Sequence, residues 1–234
     1  MTSLLDAQGV GIAGRLSPTD LFVEAGQMVA VIGPNGGGKT SLLRALARTE
    51  DALGAVAIEG RIIDETSEAE RRRLLAFLPA SREATWPVAV ADMLAFGLGM
   101  PDAARIDALI EILELAPLAA RPIDQLSTGE RARAMLGRAI AGRPRLLLLD
   151  EPLSNLDPYW VLRTIDIIRT EIEANGSAAL VSVHDLDMVR RFDRVVLVSN
   201  GAVVADAAPE AVLGSQSFRE AFRVTRGNGG WAIS

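Results

Sequence analysis

The chain has 234 residues, 49% of them hydrophobic and 23% charged, a balance that suits one globular core with room for a small inserted subdomain. A formal net charge of −6 and a pI near 5.0 weigh against nucleic acid as a partner. With no cysteine there is no disulfide framework and no thiolate metal site, and no run reaches the roughly 18–20 apolar residues that span a bilayer. The opening Met1-Thr2-Ser3-Leu4-Leu5-Asp6 lacks the basic flank and apolar stretch of a secretion signal, so a cytoplasmic chain is expected.

In chain order, residues 4–7, 9–13 and 21–24 read as strands of a β-rich lead-in, and Gly26 turns the chain into the apolar run 28–32. Gly33-Pro34-Asn35-Gly36-Gly37-Gly38-Lys39-Thr40-Ser41 comes next, opening a helix that is expected to reach about residue 48. Strand, glycine-rich loop, Lys-Thr and helix make a phosphate-binding P-loop. Loop N–H groups and the positive end of the helix converge on phosphate oxygens. Lys39 is expected to bridge the terminal phosphates, and the Thr40 hydroxyl to hold Mg²⁺. Lys39 is also the only lysine among 24 basic residues. A background that favours arginine so strongly keeps lysine where a compact ammonium on a flexible stem is needed.

Residues 55–58 and 61–63 flank Glu59-Gly60 and predict a hairpin. A helix over 67–73 leads into a strand over 74–78, ended by Pro79. From 86 to 143 the pattern is mostly helical, with helices over 90–98 and 103–115 and a third after Ser127-Thr128-Gly129-Glu130. Alternation then resumes, with strands over 145–149, 178–183, 195–199 and 202–205 and helices over 159–174 and 185–191. The fold class is α/β: one domain, 1–234, with a P-loop core, a β-rich N-terminal lead-in and an inserted helical subdomain at roughly 81–142.

The strand 145–149 ends in Asp150-Glu151-Pro152. In a doubly wound sheet, ligands bind at the carboxyl ends of strands, so both acids are expected to face the nucleotide. Asp150 suits a partner of Mg²⁺, and Glu151 is placed to polarise the attacking water. Ser127 and Glu130 have the spacing of a capping box. Yet Leu126-Ser127-Thr128-Gly129-Glu130, about twenty residues before the Asp-Glu strand, is also a family signature. On these residues the chain resembles, over nearly its whole length, the ATP-binding subunit of an ATP-binding cassette (ABC) transporter.

The resemblance implies a RecA-like core that binds ATP with Mg²⁺ and hydrolyses it. Ser154-Asn155-Leu156-Asp157 resembles the D-loop, and His184, the only histidine, resembles the switch histidine. It further implies a homodimer that sandwiches nucleotide between the P-loop of one copy and Ser127-Thr128-Gly129 of the other. Membrane-spanning permease subunits, and indirectly a substrate-binding protein, complete the assembly at the cytoplasmic face of the membrane. Arg15-Leu16-Ser17-Pro18, the junction from Trp86 to Leu94 and the C-terminal tail resemble importers of metal chelates: cobalamin, haem and iron–siderophore. A membrane coupling helix is expected near 80–96, where Trp86 and Met93 either offer apolar contact or belong to the core.

Two positions depart from the family pattern. Ala80 stands where a junction glutamine is usual, and neither a water ligand nor a metal ligand can come from its methyl; Glu83 or water would have to fill the gap. No aromatic residue lies over 10–16 to stack on adenine, which leaves the Arg15 guanidinium for that face. A regulatory module with weak hydrolysis, or a soluble cassette ATPase outside transport, are the alternatives these residues leave open.

Overall fold

The computed structural model describes residues 3–81, 87–227 and 230–233. The chain opens with β1 (Leu5–Ile12) and β2 (Leu16–Val23), an antiparallel pair. Where alternation suggested two short strands, β1 is one strand whose pairing slips at Gly9, a residue with φ 59°. Pro18 lies in β2, an edge strand, where a missing N–H costs no ladder bond. β3 (Met28–Ile32) follows, then the glycine-rich loop, then α1 (Lys39–Ala47). β4 (Leu53–Ile58) and β5 (Arg61–Ile62) complete a four-stranded sheet in the order β2-β1-β4-β5. α2 (Glu68–Leu74) runs without a break into β6 (Leu75–Leu78).

Between β6 and the next strand the chain is helical: α3 (Val90–Ala95), α4 (Ala103–Ile112) and α5 (Thr128–Ala141). Met93 is 8% exposed and belongs to the core, which decides between its two readings; Trp86 and Glu83 lie outside the described residues. Then come β7 (Leu146–Leu149), α6 (Pro158–Asn175), β8 (Ala178–Ser182), β9 (Arg194–Ser199) and β10 (Ala202–Ala207). The end is formed by α7 (Pro209–Leu213), α8 (Gln216–Phe222) and a hairpin of β11 (Val224–Gly227) with β12 (Gly230–Ile233).

The central sheet has the order β10-β9-β3-β8-β7-β6, parallel except for β10. Both faces are buried, so its strands are apolar runs rather than alternating ones. The period of two still sorts the side chains. Val29 and Val31 of β3, with Leu146 and Leu148 of β7, join the core shared with α1 and the antiparallel sheet. Ala30, Ile32, Leu147 and Leu149 join the core under the helical insertion and α6.

One predicted helix is absent. Residues 185–191 form a turn and then a short 3-10 segment, Met188–Arg191. The Asp185 carboxylate accepts the Asp187 N–H at 2.9 Å, offering the backbone a local bond in place of a helical one. Asp193 then reaches β3 at once, its N–H donating to Met28 O and its carboxylate accepting the Met28 N–H at 2.7 Å. Too few residues remain for helical turns.

Candidate functional site

The loop between β3 and α1 takes its shape from the strand beside it. A Cβ on Gly33 would sit 2.0 Å from the Val198 carbonyl oxygen of β9, and one on Gly37 would sit 2.9 Å from that same oxygen. The glycines are therefore demanded by packing against β9 as well as by any phosphate. Asn200-Gly201, the turn joining β9 to β10, locks the loop from outside: Gly201 N–H donates to Gly37 O at 2.9 Å, and Ser17 N–H donates to Gly201 O at 2.7 Å. Asn-Gly is a hairpin signal legible in the sequence, although it carries no hint of this contact.

At the start of α1, Gly38 provides no side-chain cap, and no acid lies in the first turn. The helix therefore presents N–H donors and a partial positive charge uncompensated by its own side chains. Lys39 is 6% exposed, and its Nζ donates to the carbonyl oxygens of Gly33 at 2.9 Å and Pro34 at 3.2 Å. Burial pushes its pKa down, and the nearby charges of Glu151 and Asp150 oppose that shift. Thr40 and Ser41 are half-buried beside it, while Asn35 and Gly36 are exposed.

The two acids after β7 have separate environments. Asp150 is 1% exposed; its N–H donates to Leu78 O of β6, and its Oδ1 accepts from the Ser182 hydroxyl at 2.7 Å. Its Oδ2 is buried with no hydrogen-bond partner. An orphaned buried carboxylate oxygen whose charge acts on Lys39 fits a hard cation with oxygen ligands such as Mg²⁺. Glu151 is partly exposed, has left-handed backbone (φ 53°), and meets His184 Nε2 at 2.8 Å through Oε1. Such backbone in a non-glycine residue is costly and concentrates at functional sites.

Lys39, Thr40, Ser41, Asn35, Gly36, Gly37, Gly38, Glu151, His184 and Arg15 line one open cleft of about 980 Å³. None of its lining side chains is Phe, Tyr or Trp, and Arg15 and Leu53 are among them. Arg15 is not free, since it ion-pairs with Glu50, which Arg44 also holds at 2.7 Å.

Ser127, Thr128, Gly129, Glu130 and Asp157 are not brought to this cleft. Ser127 caps α5 in a complete capping box: its N–H donates to Glu130 Oε2 at 2.8 Å, and its Oγ accepts the Glu130 N–H at 3.3 Å. The Ser127 N–H and then the Ser127 hydroxyl, both donating to Glu130 Oε2 at 2.8 Å, hold the Glu130 carboxyl below its ordinary pKa. Asp157 caps α6 by accepting the Trp160 N–H at 3.0 Å. The two caps adjoin, because the start of α5 at Gly129 faces Asn155 and Leu156. They form a second, separate edge.

Residues 16–154, more than half of the chain, match the family described as ABC transporter. The chain belongs to that family. This cassette is 33% identical over 232 residues to the cobalamin import ATP-binding protein BtuD of Halobacterium salinarum. That match takes in 93% of this chain but spans only 58% of the length of that relative. Against the hemin import ATP-binding protein HmuV of Streptomyces coelicolor the cassette is 35% identical over 225 residues, 91% of this chain and 80% of that one. A solved ATP-binding subunit of an ABC transporter superposes with a TM-score of 0.81 at 25% identity, over 93% of this cassette and 95% of that chain.

Proposed function

We propose that the chain is the ATP-hydrolysing subunit of a membrane transporter, an importer of metal chelates such as a cobalamin, haem or iron–siderophore complex. The observation that carries the reading is the single cleft in which Lys39 and Thr40 of the loop face Glu151 and His184. The loop N–H groups, the start of α1 and Lys39 bind the phosphates. Thr40 and Asp150 would hold Mg²⁺, which when bound supplies positive charge against the β- and γ-phosphate oxygens. Glu151 accepts the proton of the water that attacks the γ-phosphorus, the β–γ bridging P–O bond breaks, and ADP departs with that electron pair. His184 holds Glu151 in place and lines the cleft that would take the phosphates.

The import reading is supported by the names of the similar proteins, a second copy would bring its separated edge to this cleft, and Arg15 with Leu53 supplies the face for the base. No described helix is long and apolar enough to cross a membrane. In this reading the cassette attaches through permease subunits at the cytoplasmic face. Pro87, Val88 and Phe96, the last 58% exposed, offer apolar surface for that contact. A second reading has one observation in its favour. Ala80, two residues past the Leu78 carbonyl that accepts the Asp150 N–H, has only a methyl side chain and no ligand atom to offer, which suits a nucleotide-gated module with weak hydrolysis.

Steady-state Mg²⁺-ATPase activity of the purified chain, wild type against Glu151→Gln, separates the two readings. Turnover that is lost in the variant while nucleotide binding persists supports hydrolysis. Nucleotide binding without turnover in the wild type, alone and with its permease, supports the gated module instead.

A further inference from the structure

We propose that Ser182 is a positioning residue for the phosphate-cleaving site, setting Asp150 and Glu151 together through a single hydroxyl. The inference rests on the reading that Asp150 serves a cation and Glu151 the attacking water. β7 and β8 pair in parallel with Leu149 opposite Val181, so one further step of that register lays Asp150 beside Ser182. The period of two puts both side chains on the sheet face that carries Leu148 and Leu180, the face on which α1 packs. Ser182 is 0% exposed and so has no water to compete for its hydroxyl.

The direction of both hydrogen bonds follows from valence. The Glu151 N–H can only donate, and it does so to Ser182 Oγ at 2.7 Å. The one hydroxyl proton is therefore left for Asp150 Oδ1, also at 2.7 Å. Two consequences follow from one group. Oδ1 is occupied, so the carboxylate is oriented with its unpartnered Oδ2 as the available cation ligand. The Glu151 amide is also anchored where the backbone turns left-handed at φ 53°, which carries the carboxylate to His184. Groups that orient ligands in this way are worth about 10–100-fold in metal affinity or activity.

The test compares Ser182→Ala and Ser182→Thr with the wild type. It measures kcat and KM for ATP, Mn²⁺ affinity by electron paramagnetic resonance with a non-hydrolysable ATP analogue bound, and thermal melting. In Ser182→Ala, kcat should fall about 10–100-fold with KM for ATP nearly constant, and Mn²⁺ should bind more weakly. Ser182→Thr, which keeps the hydroxyl, should restore both. If the alanine variant melts too low to assay, Ser182→Cys keeps the volume with only a weak donor and should show the same losses. Wild-type turnover together with wild-type Mn²⁺ affinity in a folded Ser182→Ala or Ser182→Cys protein would overturn the proposal. A wild type that binds Mn²⁺ with nucleotide but does not turn over would refute hydrolysis instead, and the Mn²⁺ affinities alone would then decide the role of Ser182.

Discussion

The loop of β3–α1 and the edge of Ser127 and Asp157 are both helix starts rich in small polar residues, yet they are built on opposite terms. At Gly38 the helix start is left uncapped, and its donors face a cleft lined by residues of the same chain. At Ser127 and Asp157 the helix starts are capped by their own side chains and face outward. The first is unsatisfied and therefore ready for an anion. The second is satisfied within the chain and needs only a surface to meet. A site that requires both must be completed by another copy, which is the physical argument for a two-chain sandwich.

The strongest way to break that contrast is complementation. Lys39→Ala should cut turnover by about 10²-fold or more, because no other ammonium can replace it at the developing charge. Ser127→Arg, which blocks the outward edge, should also abolish turnover while leaving nucleotide affinity of the single chain nearly unchanged. Mixed in equal amounts, the two inactive proteins should recover about a quarter of the wild-type rate, since half of randomly formed two-fold pairs hold one intact site. No recovery, in a mixture shown to form mixed pairs, would mean that the site does not combine edges from two chains.

A smaller effect sharpens the claim that β9 shapes the loop. Gly33→Ala forces a Cβ onto the Val198 carbonyl, and overpacking of that kind costs about 1–3 kcal/mol, with backbone strain adding a similar amount. A melting temperature lowered by several degrees even without nucleotide is expected. Full native stability combined with lost ATP binding would show instead that this glycine serves the phosphates alone.

What could be read in the sequence follows the same contrast. The glycine loop, Lys39, the Asp150-Glu151 pair and the Ser127-to-Glu130 spacing were legible because each depends on contiguous residues whose backbone demands are narrow. Ser182 was not. Within 178–183 it looks like one more small residue of a buried strand, and its role exists only through the register with β7. The Arg15–Glu50 pair is hidden for a similar reason, its partners lying 35 positions apart. The helix expected over 185–191 failed because a local Asx bond and the tether of Asp193 to β3 took its place. α7 and α8 did leave signals, Pro209 at a helix start and Ser215 as a cap accepting the Phe218 N–H, in a stretch for which no element was expected.

The smallest expected effect concerns the satisfied edge itself. In the folded chain the Glu130 carboxyl lies below its ordinary value of 4.5, chiefly through the Ser127 N–H and then its hydroxyl. A carboxyl depressed on folding stabilises the protein at pH values above the unfolded value. That contribution fades as pH falls through the lower folded value. Glu130→Gln keeps the shape of the cap but removes the charge, so it should cost less than about 1 kcal/mol at pH 7, the group being solvent-screened. The gap in melting temperature between wild type and variant should then close on acidification below about pH 4.5. A gap that stays constant across that range would assign the cap to geometry rather than charge.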